Sequence, residues 1–483
     1  MKLTGLLFAA ALLGSCTQPA AEENYTRHVD PKIGTGGHGH VFVGANVPFG
    51  LVQVGPTSIP QTWDWCSGYH ASDSTVIGFS HTHLSGTGIG DLFDITVMPV
   101  VGEVTYARGE ENDPASGLWS YADRTREITK PGYYSVPLVR YGITAELTAT
   151  ERVGLHRYTF PASDAAAVVF DLENGGCWDK ATDTGFRFSD DSTRIAGWRC
   201  STGWAKNQEV YFVAEFSKPA KGISYLQPGE IDDSKMPRIA ARYARVDFDT
   251  AEGEQVLVKV ALSPVSIEGA KANLAAELPG WDFDATAAAA DKAWNDELSK
   301  VKIETEDETS KRIFYTALYH TMVAPSLFCD VNGDYRGADG KVHENPGRDT
   351  YTTFSLWDTY RAAMPLMTVL HPERMPDIIQ TMLHIADEQG RLPVWHLWGN
   401  ETDCMVGNPG IVAVADAIVK GIGGFDREKA FETIRKTAMN PDRGNGLRME
   451  YGYIPCEMFN EAVAYDMELS LIHISEPTRL GMI

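Results

Sequence analysis

The sequence predicts an α+β chain of several domains, in which a large β-sandwich precedes an incomplete α-helical toroid. From about residue 29 to 264, short runs of β-branched and aromatic residues alternate with Gly, Asn, Asp and Pro, as in sandwich strands. From residue 310 onward, apolar residues recur at helical spacing between loops that contain Pro or Gly. We therefore expect a β-sandwich domain at 29–268, a helical linker at 269–305 and an incomplete toroid at 306–468.

The strands of the first domain are predicted from runs that are too short for helices and too apolar for loops. Each run is enriched in valine, isoleucine or aromatic residues, which suit a pleated, half-buried surface. The clearest runs are 95–101, 134–139, 166–171, 210–216 and 255–261.

The helices of the second half are predicted from the spacing of their apolar side chains. The Ala- and Glu-rich stretch 269–301 indicates one linker helix or a pair. Beyond it, Ile313, Ala317, Leu318 and Met322 mark one face of a further helix. Four more helices are expected at 354–370, 375–386, 411–422 and 427–439.

The N-terminus has the pattern of a bacterial export signal. Lys2 supplies a positive start, an apolar run covers 6–13, and Leu-Gly-Ser-Cys follows at 13–16. We expect a lipoprotein signal peptide at 1–15, lipidation of Cys16 and a polar tether at 16–28, with a plain secretory signal as the alternative. The expected location is the bacterial cell envelope, lipid-anchored at the outer membrane or periplasmic, with membrane contact only through that anchor.

The last fifteen residues do not continue the preceding helical pattern. The stretch 469–483 resembles a translated sequencing-library adapter, and we expect it to be non-native. On this interpretation the chain is part of a longer protein.

The net charge excludes one class of partner. At −23, the chain lacks the basic surface that nucleic-acid phosphates require. Six cysteines remain besides Cys16, and none forms a C-x-x-C pair, so a structural zinc site is not expected. One or two disulfides remain an open alternative, without a choice of partners.

Two stretches of the helical half combine tryptophans with polar side chains. The stretch 345–361 contains Trp357, Asp358 and Arg361, and the stretch 392–403 contains Trp398 and Glu401. A sugar ring stacks its C–H face on aromatic rings and needs paired donors and acceptors for its hydroxyls, so this mixture favours sugar binding. The alternatives are a helix-capping role for Asp358 and a solvated loop carboxylate at Glu401.

Two stretches of the sandwich half combine glycines, histidines and aromatic residues. The first, 34–50, is a constrained Gly-rich loop, and its histidines at 38 and 40 are expected to bond the backbone rather than a metal. The second spans 63–88 and contains Trp65, His70, His81 and His83. We interpret it as a sugar-facing edge of the sandwich, with ordinary core packing of the aromatic rings as the alternative.

Taken together, several motifs resemble glycoside hydrolase family 92, the bacterial exo-α-mannosidases. The matching segments, in continuous order over about 29–468, are 34–50, 68–70, 79–88, 201–204, 347–349, 354–361 and 396–401. The resemblance implies a galactose-mutarotase-like β-sandwich followed by an α/α six-hairpin domain. It also implies calcium-dependent, inverting hydrolysis of terminal mannose in glycoprotein N-glycans or mannans.

The resemblance also assigns roles to residues. It implies that Trp65 and Asp358 contact the terminal mannose. Further residues would line or support the pocket, namely His70, His81, His83, Arg361, Trp398 and Glu401.

The family's general acid lies in a Glu-Gly-Asn-Ala-Trp segment and its general base near a Gly-Gln-Met-Ser-Ala-Trp segment, and neither segment occurs here. We therefore expect this chain to lack both groups and to be inactive, and the resemblance does not place calcium ligands on it. The alternatives are a disaccharide phosphorylase and a surface glycan-binding protein without catalysis.

Overall fold

The computed structural model describes residues 23–175, 178–187, 191–226 and 238–459. The predicted signal peptide, Cys16 and the predicted tail at 469–483 lie outside these ranges. No helix within them is both long enough and apolar enough to span a bilayer.

The first domain is built from antiparallel strands. In chain order they are β1 (Gly55–Thr57), β2 (Thr75–Val76), β3 (Gly78–Ser80), β4 (Thr96–Val101), β5 (Ser120–Tyr121), β6 (Ile128–Lys130), β7 (Tyr133–Leu138), β8 (Ile143–Ala149), β9 (Val153–Phe160), β10 (Ser163–Asp171), β11 (Lys180–Arg187), β12 (Arg194–Thr202), β13 (Gln208–Phe216), β14 (Gly222–Leu226), β15 (Arg238–Ile239), β16 (Tyr243–Thr250) and β17 (Glu254–Ser263). Short 3₁₀ turns occur at Tyr25–His28, Trp63–Trp65 and Pro114–Ser116.

Two large sheets form the predicted sandwich. One has the order β1-β3-β4-β10-β16-β14 and the other β15-β11-β12-β13-β17-β9-β8-β7-β6. Their inner faces meet through rings such as Phe170 of β10 and Phe212 of β13, which stack 5.9 Å apart. Each of the five predicted runs lies within a strand of these sheets, except for one end residue of the runs 95–101 and 134–139, because the core buries most apolar side chains of each run.

The linker is a pair of helices that pack back on the sandwich. They are α1 (Ile267–Glu277) and α2 (Phe283–Leu298), and they begin at Ser266 and Asp282, whose side chains accept backbone N–H bonds. Leu274 of α1 packs on Leu155 and Val213 at the outer face of the larger sheet.

The second domain combines helices with small antiparallel sheets. Its elements are α3 (Glu308–His320), β18 (Ser326–Leu327), β19 (Tyr335–Arg336), β20 (Val342–His343), β21 (Tyr351–Thr352), β22 (Phe354–Ser355), α4 (Leu356–Thr359), α5 (Ala363–Leu370), α6 (Met375–Gln389), β23 (Trp395–Leu397), β24 (Asn400–Glu401), α7 (Pro409–Val419), α8 (Arg427–Ala438) and α9 (Asn445–Tyr451). Strands β22, β23 and β24 form one three-stranded sheet.

One helix prediction is wrong. The stretch 354–370 is not a single helix but a strand followed by α4 and α5. Ala362 breaks the helical path with φ −131° and ψ −58°. Pro365 has no N–H to donate, which a helix tolerates only in its first turn, and α5 begins two residues earlier.

Residues 24–28, which the sequence assigns to the tether, pack on α2. The backbone N–H of Tyr25 donates to Asn295 Oδ1 at 2.7 Å, and Thr26 Oγ1 donates to Asp291 Oδ1 at 2.6 Å. These contacts hold the start of the described chain against the linker.

Candidate functional site

A cavity of about 190 Å³ lies where the sandwich meets the helical domain. One wall is the sandwich loop that follows His83, and the others come from the end of α3, the strand β22 with α4, the start of α5, and β23. The lining residues are Ser85, Gly86, Thr87, His320, Thr321, Ala324, Pro325, Thr353, Phe354, Ser355, Asp358, Thr359, Ala363, Met364, Met367 and Trp395. Drug-sized ligands need roughly 300–1,000 Å³, so this smaller cavity suits a single small polar molecule.

Asp358 is the carboxylate in this cavity. It lies in the one-turn helix α4, where it is exposed, and Ser355 Oγ donates a hydrogen bond to its Oδ2 at 2.5 Å. A carboxylate has several acceptor positions, so this single bond leaves Asp358 able to accept hydroxyl protons from a ligand. Arg361 lies just beyond α4, exposed, with its Nε donating to Tyr360 OH at 2.6 Å.

His320, which sequence reasoning missed, is a second polar group of the cavity. Its Nε2 is buried and has no hydrogen-bond partner within the described chain. Burial lowers the pKa of the imidazole, so the ring is neutral near pH 7 and can donate or accept one hydrogen bond. Its only sequence signal is its position at the C-terminal end of a strongly periodic helix.

The loop that walls the cavity belongs to the predicted sugar-facing stretch 63–88, and hydrogen bonds tie it to the Gly-rich loop 34–50 and to Trp63. The Gly86 N–H donates to His40 O at 2.8 Å, and Trp63 Nε1 donates to Gly88 O at 2.8 Å. Trp65 belongs to the same turn as Trp63 and stacks on His70 with ring centroids 4.4 Å apart. Its Nε1 donates to Asp73 Oδ2 at 2.7 Å. Trp65 is therefore near this loop, although the cavity's lining includes Asp358 and not Trp65.

His81 and His83 are core residues. His81 has no exposed surface, and its ring nitrogens pair with Ile95 O at 2.6 Å and with His156 Nε2 at 2.9 Å. His83 is 3% exposed, and its Nδ1 pairs with Gln53 O at 2.8 Å. Burial lowers the pKa of His81 to about 4 and that of His83 to about 3, so both are neutral. In this structure they support the wall loop from inside the sandwich.

Trp398 and Glu401 shape the hairpin formed by β23 and β24. Trp398 is buried, adopts φ +47° and packs edge-on against Phe328. Glu401 accepts the backbone N–H groups of Val394, Trp395 and Asp403 at 2.8, 2.9 and 3.0 Å. Its carboxylate is thus used within the protein to hold Trp395, which lines the cavity.

A second sandwich loop, between β12 and β13, docks on this hairpin. Trp204 packs against Trp395 with ring centroids 4.5 Å apart and planes at 61°. Nearby, Asn207 and Asn400 exchange two hydrogen bonds of 3.0 Å. The wall of the cavity that contains Trp395 is therefore held by both domains.

Behind this loop lies a buried network of carboxylates around Arg199. The guanidinium pairs with Asp94 at 2.6 Å and with Asp179, and all three side chains are almost inaccessible. Asp91, also fully buried, accepts the Ala205 N–H at 2.8 Å. Sequence reasoning missed this network, because its members are scattered over more than 100 residues and only the fold brings them together.

One group of three side chains in the described chain has the spacing of metal ligands: Glu297, His371 and Glu373. The ammonium of Lys300 already lies among them, at 2.8 Å from Glu297, 3.1 Å from His371 and 3.0 Å from Glu373. Burial alone would raise the pKa of Glu297, but hydrogen bonds from His371 and Lys300 lower it to about 2. Calcium prefers six to eight oxygen ligands, so this lysine-filled cluster does not fit it.

Comparison with known proteins identifies the family. The profile of the glycosyl hydrolase family 92 N-terminal domain matches residues 28–263, and that of the family 92 catalytic domain matches residues 269–474. The chain belongs to glycosyl hydrolase family 92, so the resemblance seen in the sequence is confirmed.

Solved structures of this family have the same fold. A family GH92 α-mannosidase from Bacteroides thetaiotaomicron superposes with a TM-score of 0.87 and 38% identity, over 91% of this chain and 60% of that one. That enzyme has also been solved in complex with mannoimidazole. A family GH92 inverting mannosidase from the same organism gives a TM-score of 0.76 and 27% identity, over 89% and 59% of the two chains.

A curated relative is an uncharacterised secreted glycosidase of Arthroderma benhamiae, 25% identical over 94% of this chain and 58% of its own. The chain thus spans about three fifths of the length of these relatives.

Proposed function

We propose that the intact protein is an exo-acting α-mannosidase that hydrolyses terminal mannose from glycoprotein N-glycans or mannans with inversion of configuration. The observation that carries this proposal is the cavity between the domains. It contains Asp358 and is walled by both domains, in a chain 38% identical to an α-mannosidase that binds mannoimidazole. A cavity of about 190 Å³ admits one sugar ring, which suits removal of a terminal residue.

Asp358 is proposed to hold the terminal ring, and Trp65, which lies in the turn bonded to the wall loop, is proposed to contact the ring at the cavity's edge. The exposed Asp358 carboxylate accepts sugar hydroxyls, and the charged acceptor strengthens each such hydrogen bond. The neutral His320 offers one more polar contact, and Met364 and Met367 supply an apolar surface. The roles proposed for His70, His81, His83, Trp398 and Glu401 are supporting ones, since each is engaged with other parts of the protein.

An inverting site needs a protonated acid and an ionised base, with carboxyl groups roughly 6.5–9.5 Å apart. The carboxylates near the cavity are poorly suited to these roles. Glu401 is held by three backbone N–H groups, and Asp403 is paired with Arg391 and Arg443. Both carboxylates are therefore engaged within the protein, and Asp358 alone cannot serve as both acid and base. We therefore propose that the 483-residue chain binds mannose without cleaving it.

Calcium is proposed as the cofactor of the intact protein on the strength of the family alone. In the described chain, the cluster with metal-ligand spacing contains the ammonium group of Lys300 where a metal ion would bind. No catalytic step is assigned to the metal here for that reason.

We also propose that the protein acts in the bacterial cell envelope on mannose-containing glycans, anchored through Cys16. The support for export is the signal-like N-terminus and a curated relative described as secreted.

The test is mannose release by a version of the protein extended to the length of its relatives. The extended protein should release mannose from α-mannosides, and proton NMR should detect β-mannose as the first product. Release of α-mannose first would contradict inversion. The absence of any mannose release, from a protein that is folded by circular dichroism, would refute the proposed function.

A further inference from the structure

The turn that contains Trp204 is bonded to a buried carboxylate of the sandwich, that of Asp91. Asp91, in the loop between β3 and β4, has no exposed surface, and its Oδ2 accepts the Ala205 N–H at 2.8 Å. A Cβ atom added to Gly203 would lie 2.2 Å from Asp91 Oδ1, so only glycine allows the turn to approach this closely. Asp91 thus lies against the two residues that flank Trp204 in the sequence, Gly203 and Ala205.

Trp204 links this turn to the cavity, because it contacts Trp395 of the cavity wall. Its indole lies against that of Trp395, whose ring is 3% exposed and lines the cavity that contains Asp358. The turn can set the position of Trp395 only if the turn is itself fixed, because a ring-to-ring contact adds only about 0.5–1.5 kcal/mol beyond the area that it buries. The hydrogen bond from Ala205 to Asp91 fixes the turn at Trp204 itself, and the bonds between Asn207 and Asn400 hold the same loop two residues further on.

Burying the Asp91 carboxyl lowers the stability of the folded protein. Asp91 Oδ1 is buried and has no hydrogen-bond partner within the described ranges. A buried acceptor left unpaired costs about 1–3 kcal/mol. Burial, opposed by the Ala205 N–H and reinforced by Asp179 and Asp94, raises the pKa of Asp91 to about 7. Perturbed groups of this kind concentrate at functional sites.

We infer that Asp91 is a positioning residue for the glycosidase reaction: it fixes the turn Gly203–Ala205, which holds Trp204 against Trp395 and so sets the wall of the cavity. This inference rests on the proposed function, since it takes the cavity to be the substrate site. It assigns Asp91 no contact with the substrate.

A spectroscopic test needs no activity. Two indoles 4.5 Å apart and inclined at 61° couple their electronic transitions, which gives a paired positive and negative band in the circular dichroism spectrum. This couplet should be present in the 483-residue chain and absent from Trp204→Phe. We expect Asp91→Ala to lose it, because the turn loses its anchor. Asp91→Asn should keep it, because the amide oxygen still accepts the Ala205 N–H.

Two further variants distinguish a change in the position of Trp204 from a general loss of protein stability. Gly203→Ala keeps the carboxylate but crowds it, so the couplet should again be lost. Asp330→Ala is the matched control: Asp330 is another buried carboxyl, bonded to Ser263 and Asn273 at 2.9 and 2.8 Å at the linker. It should lower the melting temperature and keep the couplet. A couplet that persists in Asp91→Ala and Gly203→Ala would overturn the inference.

The kinetic test uses the extended protein. Asp91→Ala should raise KM for an α-mannoside about tenfold while changing kcat less than about twofold, since it disturbs binding and not the reacting groups. Asp91→Asn should restore KM. Equal KM values for Asp91→Ala and Asp330→Ala would refute the positioning role. If the extended protein releases no mannose, the proposed function is refuted. The circular dichroism couplet of the 483-residue chain then still shows whether Asp91 fixes the position of Trp204.

Discussion

Asn207 and Asn400 exchange two hydrogen bonds across the boundary between the sandwich and the helical domain. The backbone N–H of Asn207 donates to Asn400 Oδ1, and Asn400 Nδ2 donates back to Asn207 O, each at 3.0 Å. Because the pair is reciprocal, it fixes both the position and the direction of the β23–β24 hairpin relative to the sandwich. Contacts from both domains therefore fix the cavity wall that this hairpin forms.

The first prediction concerns Asp358. In the extended protein, Asp358→Ala should reduce kcat/KM for an α-mannoside by about 10- to 100-fold, the equivalent of one or two charge-assisted hydrogen bonds. Asp358→Asn should lose less, because the amide oxygen still accepts a hydroxyl proton. Initial rates of mannose release measure both. The control is Asp387→Ala, which removes an exposed carboxylate paired with Lys429. Equal losses in all three variants would contradict a role for Asp358 in binding.

The second prediction concerns the 483-residue chain as it stands. It should bind mannose measurably by calorimetry and release none from an α-mannoside. Glu401 and Asp403 are engaged by N–H groups and arginines, and Asp358 alone cannot be both acid and base. Mannose release at the rate of the extended protein would place the acid and base within this chain. Glu401 and Asp403 would then be the first residues to replace.

The third prediction concerns Glu401, whose two oxygens accept three backbone N–H groups. Glu401→Gln keeps one acceptor oxygen and leaves buried N–H groups of the hairpin unpaired. We expect it to lower the free energy of unfolding by about 1–3 kcal/mol, measured by urea denaturation. Glu388→Gln, which changes a similarly buried carboxyl bonded to Tyr335, serves as a comparison. A fully stable Glu401→Gln with impaired mannose binding would instead assign Glu401 to the ligand.

The fourth prediction concerns pH. The pKa of Asp91 is about 7 in the folded chain and about 3.9 in the unfolded one. Between these values the folded chain keeps a proton that the unfolded chain loses, so the contribution of Asp91 to stability falls as pH rises from about 4 to about 7. Asp94, Asp179 and Arg199 face the same region and are unchanged in the variant compared below.

Asp91→Asn stays neutral, so its melting temperature relative to the unchanged chain should rise across this pH range and level off above it. Differential scanning calorimetry at several pH values measures the difference. A difference that does not vary with pH would show that Asp91 titrates normally.

The fifth prediction concerns self-association. Val369 of α5, Val419 of α7 and Phe431 of α8 are 69%, 86% and 60% exposed, on helices of which α7 packs against both α5 and α8. The 483-residue chain should therefore form oligomers, detected by light scattering after gel filtration. Replacing the three residues with serine should reduce the oligomers. Val139→Ser, at a site 61% exposed on the sandwich, should not. A monomeric unchanged chain would contradict this prediction.

The sequence predicted the strands and most helices because their periodicity reflects burial directly. The runs 166–171 and 210–216 are strands whose side chains fill the space between the sheets. The break at Ala362 was missed, since Pro365 fits both a kinked helix and a helix start. The helix α9 was also missed, because it has only seven residues and no strong apolar face.

The candidate site was predicted less completely than the fold. Asp358, which lines the cavity, was a candidate because tryptophan, arginine and carboxylate cluster locally in 345–361. His320 and Asp91 were not candidates, because their surroundings depend on long-range packing: a buried nitrogen at a helix end, and a carboxylate that meets a turn 114 residues later. The sequence does not distinguish histidines that bind a ligand from histidines of the core. The structure assigns His81 and His83 to the core, because both side chains are buried.

The contacts of residues 24–28 with α2 have a consequence for how the molecule would sit at a membrane. Glu23 follows Cys16 by seven residues, and seven extended residues reach at most about 25 Å. With a lipid on Cys16, as proposed, α2 would lie close to the bilayer surface. Tension on the anchor would then be borne by the hydrogen bonds of Tyr25 and Thr26 to α2 and not by the sandwich strands. The anchor would thereby limit the directions from which a glycan can reach the cavity.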